Sequence, residues 1–158
     1  MPWSRFQKLR LVLERRKLAE EFPQNDIKWI DPSGDTKIEL EVTTNRNNVY
    51  RLRLHVPEDF PNSVPELVVC GSPRPMPEWD ESHENHTLER RGDLINICHN
   101  YYRHWSPRDN RIVDVFKKGR QWLEAYETSL KTGRPMDFYL DDVDLPDVPV
   151  SENTCAFQ

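Results

Sequence analysis

The sequence predicts an α+β domain: an N-terminal helix, a four-stranded antiparallel meander, an irregular segment and a long C-terminal helix, followed by a tail. Three observations predict it. Apolar residues recur at helical spacing over 3–22, two period-2 runs lie on either side of an Asn-rich turn, and a second helical stripe runs from 112 to 130.

In the first helix the repeat is Trp3, Phe6, Leu9, Leu13 and Phe22, with Val12 and Leu18 beside it. The opposite face carries Arg5, Lys8, Arg10, Arg15, Arg16 and Lys17 against Glu14, Glu20 and Glu21. Such a face is a solvated helix surface or a basic docking surface for an acidic partner. Phe22-Pro23 ends the helix, because proline disfavours helical geometry in the residue before it. Strand one is Ile27-Lys28-Trp29-Ile30, closed by the turn Asp31-Pro32-Ser33-Gly34-Asp35. Ile38, Leu40 and Val42 then alternate with Lys37, Glu39 and Glu41. After Asn45-Arg46-Asn47-Asn48, Tyr50, Leu52, Leu54 and Val56 alternate with Arg51, Arg53 and His55. This alternation predicts one buried face and leaves His55 outside it. Glu66–Cys70 makes the fourth strand, with Cys70 packed as a small hydrophobe at its end.

Prolines at 57, 61 and 65, and again at 73, 75 and 77, predict stiff irregular connections. The last helix carries Ile112, Phe116, Gly119, Leu123, Tyr126 and Leu130 on one stripe, widened by Val113, Val115 and Trp122. Asp109 or Asn110 is the candidate cap, and Thr132-Gly133 with Pro135 closes the helix. The domain is expected to span 1–134, and 135–158 to be an acidic, weakly ordered tail. From 135 onward there are six acids and no Lys or Arg, so setting the tail aside turns the net charge of -5 into +1 for the body. A body that is nearly neutral gives no reason to propose nucleic acid. No apolar run reaches the roughly 18 residues of a membrane span and no signal-peptide core is visible, so the expected compartment is cytoplasmic. Three widely spaced cysteines, Cys70, Cys98 and Cys155, form no disulfide framework and are expected to be reduced.

Chemistry concentrates in residues 83–107, HENHTLERRGDLINICHNYYRHWSP, which hold four of the five histidines. Cys98 falls where the apolar run Leu94-Ile95-Asn96-Ile97 gives way to His99-Asn100, a place where a thiol would reach water. His83, His86, Cys98 and His104 offer four nitrogen and sulfur donors for a zinc site, although their spacing follows no common zinc pattern. His99 and His104 are expected on the surface of the irregular segment.

The order of pieces from 49 to 123 resembles ubiquitin-conjugating enzymes. They are Leu54-His55-Val56-Pro57-Glu58-Asp59-Phe60-Pro61-Asn62-Ser63-Val64-Pro65-Glu66-Leu67, then Gly92 to Cys98, then Trp105-Ser106-Pro107 before a long amphipathic helix. Trp122–Glu127, Lys131-Thr132-Gly133-Arg134-Pro135 and His86-Thr87-Leu88 are similar to the prokaryotic branch of that family. The resemblance covers about residues 3 to 130, and it implies a thioester carrier. Cys98 would accept the activated C-terminus of a ubiquitin-like modifier and yield it to an amine, as a thiolate is both nucleophile and leaving group. His86 and Asn100 are the expected helpers at the oxyanion or the incoming amine, with Asn85 as an alternative. The family's His-Pro-Asn has no direct counterpart: His83-Glu84-Asn85 begins fifteen positions before Cys98 and His86-Thr87-Leu88 twelve.

The implied partners are the modifier, an activating enzyme docking on the basic N-terminal helix, and a ligase; no metal or small-molecule cofactor is implied, because the activating partner spends the ATP. The alternatives are a catalytically inactive adaptor of the same shape and a zinc-binding module. The ending Cys155-Ala156-Phe157-Gln158 has the form of a prenylation signal, but its acidic surroundings lack the basic residues that usually support anchoring.

Overall fold

The computed structural model describes residues 2–23, 25–99 and 104–140. Its elements are α1 (Arg5–Glu21), β1 (Ile27–Ile30), β2 (Lys37–Thr43), β3 (Val49–His55), β4 (Glu66–Gly71), β5 (Thr87–Arg91), β6 (Leu94–Ile97), α2 (Ile112–Thr132) and α3 (Met136–Leu140). The architecture is α+β, with one antiparallel sheet in the order β1-β2-β3-β4-β6-β5.

The four expected strands are present, but among the described residues the sheet has six. The segment expected to be irregular contains the β5–β6 hairpin, turned at Gly92-Asp93 with Gly92 at φ 60°. Its first strand is hard to see in the sequence because it is an edge, and Glu89-Arg90-Arg91 gives it the charge that edges carry.

Alternation decides the two sheet faces. Ile38, Leu40 and Val42 stand opposite Leu54, Leu52 and Tyr50, all buried, whereas Glu39 and Glu41 stand opposite Arg53 and Arg51 on the other face. Those charges form a ladder, with Arg53–Glu39 and Arg51–Glu41 each at 2.8 Å. The long helix α2 covers the apolar face and crosses it at Gly119. A Cβ there would lie 2.5 Å from Leu67 Cδ2 and 2.9 Å from Leu52 Cδ1, so only glycine permits this approach. At the C-terminus of α2, Gly133 takes φ 78° and donates its N–H to Ser129 O, closing the helix as its sequence indicates.

The first helix keeps close to its predicted extent, but its predicted face holds only at the two ends: Trp3, Leu18 and Phe22 are buried as expected, and the middle of the stripe is not. Leu11, Glu14 and Leu18 are buried, while Phe6, Leu9, Val12 and Leu13 are exposed. A carboxylate explains the rotation. Glu14 is fully buried, is paired with Arg10 and accepts the N–H of Ile112 at 2.9 Å, the first residue of α2. A carboxylate at a helix N-terminus satisfies an orphan donor and the dipole together. Arg10 also donates to the carbonyls of Pro107 and Asn110. In α2, Asn110 does not cap the first turn; Arg111 holds that position, and its N–H is accepted by Asp114. Leu130, expected in the buried stripe, is exposed.

The expected boundary at 134 also moves. Met136 and Leu140 of α3 are buried in the core, so the folded body runs through Leu140. The signal lies in the chain itself: Pro135 precedes a short amphipathic helix whose first turn carries Asp137. Among the described residues no helix is long and apolar enough to cross a membrane. Replacing Gly119 by Ala is expected to lower unfolding free energy by about 1–3 kcal/mol, the usual penalty of overpacking, in a chemical denaturation experiment.

Candidate functional site

The hairpin delivers Cys98 and His86 to the same place. Thr87 pairs with Ile97, and the ladder continues one step further, where the Cys98 N–H donates to His86 O at 2.9 Å. His86 sits at φ 50°, a left-handed conformation uncommon for a residue with a side chain. Two contacts hold it there. Trp122 Nε1 of α2 donates to His86 O at 3.1 Å and to Asn85 O at 2.9 Å. The imidazole Nε2 lies 2.7 Å from Asp137 Oδ1 of α3. The ring is buried and the carboxylate is about a third exposed. Asp137 is fixed in turn, as its backbone N–H donates to Glu84 O at 2.8 Å.

This arrangement selects a tautomer. With Nε2–H donated to the Asp137 carboxylate, the basic nitrogen of a neutral His86 ring is Nδ1. A carboxylate behind an imidazole orients it, the same support that a histidine base receives in acyl-transfer triads. Sequence reasoning assigned Asp137 to the acidic tail and so missed it. The partner of a histidine fifty-one positions away leaves no local spacing to read.

The sulfur departs from expectation. Cys98 is buried and disulfide-bonded, where the sequence reading expected a reduced thiol facing water; its partner is not among the described residues. Among the described residues Cys70 is a free thiol, half-buried at the end of β4, and burial raises its pKa. Asn100 lies outside the described residues, as does Cys155 with its prenylation-like ending. Asn85 turns its amide to Ser82 Oγ at 2.9 Å.

His99 is another correction. It is buried rather than on the surface, with Nε2 at 2.8 Å from Pro65 O, so Nε2 donates to that carbonyl. Burial lowers its pKa to about 4. Trp105 Nε1 similarly donates to Pro61 O at 2.7 Å. Together they tie both flanks of the central segment to the proline-rich connection, in which the Phe60-Pro61 bond is cis.

His83 and His104 are exposed, and among the described residues no group of three or more His, Cys, Asp or Glu side chains is placed to hold a metal ion. No family model, curated protein or solved structure matches the chain.

The buried neutral ring of His99 has a consequence for stability. Its folded pKa is below the unfolded value near 6.5, so the unfolded chain binds a proton first as pH falls. The stabilisation is complete above pH 6.5 and is lost between 6.5 and 4, up to roughly 3 kcal/mol. Urea titrations across that window are expected to show a steeper fall for the wild type than for His99→Gln.

Proposed function

We propose that the chain is a thioester carrier in a ubiquitin-like conjugation pathway, with Cys98 as the acyl acceptor. The observation that carries this reading is the pairing of the buried His86 ring with the partly exposed Asp137 carboxylate, the same histidine's carbonyl receiving the Cys98 N–H. The resemblance of the proline-rich connection, the Gly92–Cys98 segment and Trp105-Ser106-Pro107 to ubiquitin-conjugating enzymes gives the chemistry its direction.

In this reading the Cys98 thiolate attacks the thioester carbonyl of a modifier held by the activating enzyme. The donor thiolate leaves as the new S–C bond forms. An amine then attacks the Cys98 thioester, His86 takes a proton from the amine, and Cys98 departs as thiolate. Asp137 holds the ring in position and offsets the charge that it gains. Asn100 remains the candidate for stabilising the oxyanion, with Asn85 as its alternative. The basic edge of α1 is the proposed docking side for the activating enzyme, a ligase is a further partner, and the compartment is the cytoplasm. There a glutathione-buffered milieu would open the Cys98 disulfide and release the thiol.

A second reading is the catalytically inactive adaptor, favoured by the burial and disulfide engagement of Cys98. One gel separates the two. Incubation of the reduced protein with an activating enzyme, its ubiquitin-like protein and ATP is expected to give a thiol-sensitive adduct that disappears in Cys98→Ser. Absence of the adduct with every cognate pair tried would leave the adaptor. If the adduct forms, single-turnover discharge to lysine is expected to slow by about 100-fold in His86→Ala, within the range for a positioned acid–base group. Asp137→Asn is expected to slow it less, because the ring loses its orienting carboxylate but is itself still present.

A further inference from the structure

A groove of about 360 Å³ opens at the other end of the central strands from Cys98, between the β2–β3 turn, the segment after β4 and the last turns of α2. At its floor lies Glu127, only 4% exposed. One carboxylate oxygen is fully engaged: Oε2 accepts from Tyr50 Oη at 2.8 Å and from Asn48 Nδ2 at 2.7 Å. Burial, reinforced by the bond to Glu127, raises the pKa of Tyr50, so its hydroxyl stays a donor. The other oxygen, Oε1, accepts no hydrogen bond from any protein group among the described residues. Leaving a buried acceptor in this state is costly, and more so for a charged one, so it is a place where a donor binds with advantage.

The rim has the opposite sign. Arg46, Arg74 and Lys131 line the groove, and none of them forms an ion pair among the described residues. Lys131 stands four residues after Glu127 on α2, the spacing at which such pairs usually close, yet it does not close on it. The chain's own cations therefore stay at the lip while the carboxylate waits below.

That polarity excludes simple ions. A plain dianion would meet the floor carboxylate, and a plain cation would have to pass three positive side chains. A ligand with a small positive head and more than one negative group satisfies both levels, and three rim cations against one floor anion favour a ligand with net negative charge. Oε1 is closed to water in the folded chain and an ammonium is no smaller than water, so its approach requires the flexible side chains above the floor to part; a guanidinium, broader still, would need a larger opening. We propose that the groove binds an acidic α-amino acid, with its ammonium on Glu127 Oε1 and its two carboxylates among Arg46, Arg74 and Lys131. The volume falls in the range of small-molecule sites.

Isothermal titration of the full chain with L-glutamate and L-aspartate, to about 10 mM so that a Kd near 1 mM is covered, tests this. A saturable heat is expected for at least one of them. Glutarate, which lacks the ammonium, and L-alanine, which lacks the second carboxylate, are each expected to bind about 10-fold or more weaker, as is the Glu127→Gln variant with the amino acid. Since Glu127 is buried, Lys131→Ala and Arg74→Ala provide surface variants that keep the fold; each should weaken binding by several-fold. The proposal is overturned if folded wild type gives no saturable heat with either amino acid, if glutarate binds as well as L-glutamate, or if both surface variants bind like wild type.

Discussion

One carbonyl sets the geometry of the candidate site. His86 O receives an N–H from Cys98 on the neighbouring strand and another from the Trp122 indole on α2. A carbonyl has two acceptor sites, and both are used here. The left-handed turn at His86 is thereby fixed from the sheet on one side and from the helix on the other, and the imidazole is aimed at α3. Moving α2 by a fraction of a turn would break this junction, and α2 itself is seated by Gly119 against Leu52 and Leu67. The site thus inherits its precision from a helix–sheet contact without a side chain in it. Aromatic packing strengthens the same helix: Trp122 stacks on Tyr126, and Trp79 meets both edge-on.

Much of this was legible in the residues. Strands with a period of two and opposite charges on their outer positions, as in Glu39/Arg53 and Glu41/Arg51, revealed the meander and its buried face. The α2 stripe and its glycine stop did the same for the long helix. What was not legible depended on long-range pairing. The hairpin β5–β6 combines an edge strand of charged residues with an apolar partner, and neither half has the alternation of a half-buried strand. The face of α1 was misread because four apolar residues point outward and the residue that fixes the helix is an acid. Hydrophobic periodicity carries no sign of a buried Glu14 meeting a helix N-terminus ninety-eight positions later.

The candidate site divides along the same line. Cys98 and His86 stand close in the sequence and their proximity was readable from the motif order. Asp137 enters through tertiary structure alone, from a helix that composition assigned to the tail. The state of the sulfur is likewise a matter of the folded chain: spacing of cysteines described a reduced protein, and the fold engages Cys98 in a disulfide while leaving Cys70 free. Oxidation state is thus coupled to any chemistry at this residue, since a thiolate must exist before it can attack a carbonyl.

The buried Glu14 has a mechanical consequence for recognition at the first helix. Arg10, Glu14 and the opening turn of α2 form one clamp, so α1 cannot tilt or peel away without stripping a donor from α2 and leaving a charge without solvent. A protein that lands on the outward row of Phe6, Leu9 and Leu13 therefore meets an already rigid surface. A partner that docks there would lose little entropy in shaping that surface.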